Sequence, residues 1–131
     1  MRGHLDSRMR PILPLQVNGV TLNFLTDTGF TETLAIGLDV ANMLCITQSR
    51  KVFYSQTAGG FAPFRTGICI LNWFNGRIPV TVMVWQTPQV GPVDGLIGVG
   101  LLIGFILVAD FNEGVLEIKD PALLLNTVTG L

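Results

Sequence analysis

The sequence predicts an all-β protein closed into a barrel, with one short helix in its C-terminal half. Three observations predict it. Short apolar stretches recur along the chain with turn residues between them, a spacing that marks sandwiches and closed barrels. Two Asn-Gly pairs, Asn18-Gly19 and Asn75-Gly76, lie between such stretches. Asn-Gly is the strongest short hairpin signal, because both turn positions need positive φ. Finally, Val20, Leu22 and Phe24 alternate with Thr21 and Asn23, the period of a half-buried strand.

The elements follow in order. Stretches 12–17 and 20–25 make the first hairpin, and 33–36 reads as another strand. The spacing of Leu38, Ala41, Met43 and Leu44 suggests one or two turns of helix. Stretches 51–55 and 64–71 read as strands around a turn containing Ala58-Gly59-Gly60, and Asn75-Gly76 joins 67–74 to 77–84. Pro79 lacks an N–H, which predicts an edge position for that last strand. A loop over 86–92 precedes a final hairpin of 107–111 and 115–118. Segment 1–10 is polar and is expected to be disordered, 11–120 to form one domain, and 121–131 to be a tail.

Composition narrows the function classes. A chain of 131 residues supports one compact domain. Its residues are 49% hydrophobic and only 13% charged, more apolar surface than a small domain hides well. The excess is expected in a subunit interface. A formal net charge of -1 builds no field for nucleic acid or anionic lipid, so neither is an expected partner. Cys45 and Cys69 lack a metal-ligand spacing and read as free thiols. No metal or cofactor is expected, and a reducing, cytoplasmic setting is. His4 is the only histidine, which removes Ser-His and Cys-His schemes within one chain. Segment 96–109 carries no charge, yet it is shorter than the roughly 20 residues of a membrane span and holds Gly98, Gly100 and Gly104. It reads as a buried strand, a short helix and a second buried strand.

The residues that carry chemistry are Asp27-Thr28-Gly29, directly after an apolar strand. An aspartate there is costly to bury without a partner. Taken alone the tripeptide is a turn, in which Asp caps backbone amides and Gly supplies positive φ. Its surroundings say more. FLTDTGFTETLAI resembles the active-site segment of retroviral-type aspartic proteases. DGLIGVGLLIGFILVADF resembles that family's second signature, two aliphatic residues and a glycine before a short helix and a strand. SQTAGGFAPF sits where the family carries its flap. The resemblance runs over roughly 11–118 and is nearest to the small prokaryotic retropepsin-like proteases.

The resemblance implies a homodimeric endopeptidase acting on peptide or protein substrates. Hydrolysis of an amide by carboxylates needs two of them, one ionised to take a proton from water and one protonated to polarise the carbonyl. Two carboxylates about 3 Å apart resist double ionisation, so their pKa values split. The chain offers one catalytic aspartate, and a twofold dimer would set Asp27 against its own copy. By the same resemblance Thr28 bonds across the dimer axis, and Gly29 lets substrate backbone approach. Phe30, with the flap residues Ala58, Gly59, Gly60 and Phe61, contacts substrate. Leu96, Ile97 and Gly98 pack behind the catalytic loop. Three positions depart from the retroviral pattern: Phe30 and Glu32 stand where smaller residues are usual, and Gly100 where Asp or Asn is usual. The alternative is a dimerisation or peptide-binding module of the same fold without proteolysis.

Overall fold

A computed structural model describes residues 1–88 and 91–123. In chain order the elements are β1 (Arg2–Leu5), β2 (Pro11–Val17), β3 (Val20–Thr26), β4 (Leu34–Gly37), α1 (Leu38–Met43), β5 (Phe53–Thr57), β6 (Gly60–Trp73), β7 (Gly76–Trp85), β8 (Gly95–Ile97), α2 (Val99–Leu102), β9 (Ile106–Asp110) and β10 (Val115–Lys119). The tail beyond residue 123 and part of the 86–92 loop lie outside the described residues.

The strands run β5-β6-β7-β4-β8-β3-β2-β1-β10-β9, and a further pairing of β6 with β2 closes six of them into a mixed barrel. Most neighbours are antiparallel, but β3 pairs parallel to β8 and β4 parallel to β7. Closure rests on the pairing of Val17 with Leu71 and on Asn18. The Asn18 N–H donates to the Ile70 carbonyl at 2.9 Å, and the Ile70 N–H donates to Asn18 Oδ1 at 2.8 Å. Asn18 (φ +50°) and Gly19 (φ +80°) also form the predicted two-residue turn. One Asn-Gly pair therefore turns the first hairpin and fastens the barrel.

The inward faces supply the core. Leu13, Phe24, Leu34, Leu71, Val84 and Ile97 are among the fully buried residues. Each such side chain contributes about 1.5–3 kcal/mol relative to exposure. In β3 the alternation holds for Leu22 and Phe24, whereas Val20, at the mouth of the hairpin, is exposed.

Several expectations need correction. Segment 1–10 is not disordered, because its first residues form β1 between β2 and β10. The Asp6 carboxylate then turns the chain. It accepts the backbone N–H groups of Arg10 and Arg8 and the Arg10 guanidinium, contacts that hold its carboxyl below the ordinary range. The second hairpin turns one residue early. Trp73 pairs with Gly76, so Phe74 (φ +53°) and Asn75 are the central residues. The Phe74 ring stacks on Phe105 at 5.2 Å and meets Trp73 edge-on at 5.4 Å, contacts that favour this register despite the left-handed conformation. Pro79 is an edge residue only locally, since β7 pairs with β4 from Val82 onward. Segment 96–109 does divide into strand, helix and strand, but β9 is mostly exposed rather than buried. Among the described residues it is the last strand of the sheet, with no neighbour beyond it. Among the described residues no helix is long and apolar enough to cross a membrane.

The two thiols differ in setting. Cys69 is buried in the core, and burial pushes its pKa up to about 11, while Cys45 is exposed. Thiolate is the reactive form. One thiol per chain is therefore expected to react with iodoacetamide in the folded protein at neutral pH, and two after denaturation. Mass spectrometry should place the native label on Cys45; rapid native labelling of Cys69 would contradict the core described here.

Candidate active site

Asp27 follows the last residue of β3, where three segments converge. β8 lies parallel to β3 with Thr26 opposite Ile97, and β4 lies antiparallel to β8 with Leu34 opposite Ile97. The Asp27 N–H donates to the Ile97 carbonyl at 2.9 Å, continuing the β3–β8 ladder into the loop. The Phe30 N–H donates to the Asp27 carbonyl at 3.1 Å, and the Gly29 N–H donates to Asp27 Oδ1 at 2.9 Å. Asp27 thus caps a backbone amide as the tripeptide leads one to expect, but Gly29 does not take the positive φ expected of it. The same geometry leaves the Asp27 side chain partly exposed, with Thr28 and Gly29 open to solvent.

The loop is clasped from behind. Three successive amides of the second signature donate to its carbonyls: Gly98 N–H to Thr33 at 2.8 Å, Val99 N–H to Phe30 at 2.8 Å and Gly100 N–H to Glu32 at 3.1 Å. A Cβ at Gly98 would lie 2.0 Å from the Glu32 carbonyl oxygen and 2.6 Å from that of Phe30. A Cβ at Gly100 would stand 3.0–3.1 Å from Glu32 and Thr31 backbone atoms. The departure at Gly100 therefore has a packing reason: α2 seats its first turn directly against the loop. The Gly98 contact agrees with the packing behind the catalytic loop that the resemblance implies, whereas the Gly100 contact was not legible in the sequence, where Gly100 marked only a missing polar side chain.

The site residues read from the sequence fall into two groups. Asp27, Thr28, Gly29 and Phe30 share the loop. Ala58 and Gly59 form the turn of the β5–β6 hairpin, where Thr57 pairs with Gly60 and Phe61 follows. Phe61 is 73% exposed, and nothing lies within 4 Å of where a Cβ on Gly59 or Gly60 would be. Among the described residues no hydrogen bond joins this tip to the loop. Asp94 and Asp110 have structural duties. Asp94 accepts the Asn23 N–H, and Asp110 accepts the N–H groups of Asn112 and Glu113. Among the described residues Asp27 has no carboxylate partner, and no group of three or more potential metal ligands occurs. Sequence reasoning missed Thr26. It is 5% exposed, and immediately before Asp27 its buried hydroxyl has no hydrogen-bond partner among the described residues.

A Gly98→Ala substitution is expected to break the clasp, because backbone carbonyls cannot move aside as side chains can. The variant should lose cooperative thermal unfolding or unfold many degrees lower, with Gly100→Ala milder. Equal midpoints for Gly98→Ala and the parent would refute this packing.

No family model matches the sequence, and no curated protein matches it. Among solved structures, the fold is similar to a retropepsin-like aspartic protease from Rickettsia conorii. The TM-score is 0.68 at 18% identity, over 92% of this chain and 89% of that one. It is also similar to EIAV protease complexed with the inhibitor HBY-793, with a TM-score of 0.59 at 21% identity over 75% of this chain and 89% of that one. The closed mixed barrel and its β3–β8–β4 convergence are thus a retropepsin-like fold.

Proposed function

We propose that the protein is an aspartic endopeptidase that works as a symmetric homodimer, with one Asp27 from each copy. The observation that carries this reading is the position of Asp27. A solvent-accessible carboxylate sits at the end of β3, on a loop held by backbone bonds on both sides. A loop fixed in this way can hold a carboxylate at the geometry that hydrolysis requires.

In the dimer the two Asp27 carboxylates share one proton, since close like charges oppose double ionisation. The ionised one takes a proton from a water molecule as that water attacks the peptide carbonyl. The protonated one donates a hydrogen bond to the carbonyl oxygen, and the tetrahedral intermediate then collapses with a proton passing to the leaving nitrogen. The Thr28 hydroxyl makes no hydrogen bond within the described residues, which leaves it available to the partner copy. The β5–β6 hairpin acts as the flap. Its free-standing tip closes over an extended peptide and excludes water from the aspartates.

The exposed β9 supports the dimer. Ile106, Leu107 and Val108 are all exposed on a strand that ends the sheet. An apolar edge of this kind is a template for pairing with another chain. Sedimentation at micromolar concentration should show a dimer. Val108→Lys, which places a charge on that edge, should raise the dimer dissociation constant at least about tenfold, a shift of about 1.4 kcal/mol. A parent protein that stays monomeric would remove the shared site.

Asp27→Asn keeps the side-chain shape but cannot act as a general base. Peptide cleavage by this variant should vanish while the dimer persists. Full activity in the variant would sink the mechanism. A parent that dimerises and binds peptide without turnover would favour the non-proteolytic module instead.

A further inference from the structure

Beside the Asp27 loop lies a second feature that the catalytic reading leaves unused. A cavity of about 270 Å³ opens between the loop, the base of the β5–β6 hairpin and β7. Glu32 and Thr33 contribute from the loop, Phe53 and Phe64 from the hairpin, and Met83 from β7. Phe53 and Phe64 are cross-strand partners whose rings stack at 5.5 Å, and Phe64 in turn meets Trp85 edge-on at 5.8 Å. The wall on the hairpin side is therefore aromatic and held in place by ring contacts.

Glu32 is the only charged residue in this lining. It is exposed, and its carboxylate makes no ion pair or hydrogen bond among the described residues. The other polar neighbours are uncharged threonines, of which Thr33 donates its hydroxyl to the Thr81 carbonyl. The aromatic surface also accepts a cation, because Lys51 Nζ stands 5.0 Å from the centroid of the Phe53 ring. Lys51 itself does not line the cavity.

We infer that this cavity receives a basic side chain, arginine or lysine, of the peptide substrate. The aliphatic stem of such a residue packs on Phe53, Phe64 and Met83 while its charged head reaches Glu32, as long cationic side chains do on apolar surfaces. A guanidinium also stacks on aromatic faces. A neutral or acidic side chain gains less, since it either leaves Glu32 unpaired or repels it. The inference deepens the protease reading by naming a substrate preference, and it rests on that reading for placing a peptide along the loop.

Two measurements test it. Parent enzyme is incubated with a peptide library generated by cleavage after glutamate, which retains internal lysine and arginine, and cut sites are identified by mass spectrometry. In parallel, Asp27→Asn protein is titrated onto an array of decapeptides that vary one position among Arg, Lys, Gln, Leu and Glu. Basic residues should be favoured about fivefold at one fixed position in both measurements. Glu32→Gln should bring the ratio near one, and Glu32→Lys should turn the preference to Glu, with thermal unfolding confirming that both variants fold. Cleavage or binding without a basic preference overturns the inference, as does a preference that survives Glu32→Gln. Basic-selective binding with no cleavage by the parent would uphold the cavity and overturn proteolysis instead.

Discussion

The molecule depends on the backbone bonding between the Asp27 loop and the segment Ile97–Gly100. Four consecutive residues of that segment take part. Ile97 accepts from Asp27, while Gly98, Val99 and Gly100 donate to Thr33, Phe30 and Glu32. Buried backbone groups must find partners, and a loop between two strands has no ladder of its own. The second segment supplies that ladder from a distance of some seventy residues in sequence. Because the bonds are main chain to main chain, they place the loop whatever its side chains are, which frees Asp27, Thr28 and Glu32 to face outward.

Barrel closure provides the frame around these segments. β4, β8 and β3 are direct neighbours in the sheet, and the sheet curls around them until β6 meets β2, where Asn18 bonds both backbone groups of Ile70. The core residues on the inner face drive the curl, since each strand has one apolar face to bury. The site thus sits where two parallel pairings interrupt a mostly antiparallel sheet.

Two features make little sense for a single copy. A lone carboxylate cannot supply both an acid and a base for amide hydrolysis, and an apolar edge strand left in water invites association. In the proposed dimer, a second copy related by a twofold axis would answer both with one operation. The high apolar share of the composition has its counterpart in β9, where Ile106, Leu107 and Val108 stay exposed.

The sequence by itself determined what local pattern can encode. The Asn18-Gly19 hairpin, the alternation of Leu22 and Phe24, the strand-helix-strand division of 96–109 and the turn at Asp27 all depend on residues within a few positions of one another. Tertiary structure decided the rest, because it concerns which distant segments meet. Phe74 and Phe105 drew the second turn one residue early, and pairing with β10 ordered a polar N-terminal segment. β9 became an edge because the described chain supplies no strand beyond it. The cavity at Glu32 could not be read from sequence at all. Its walls come from the loop, the hairpin and β7, and only folding gives one carboxylate an aromatic pocket to share.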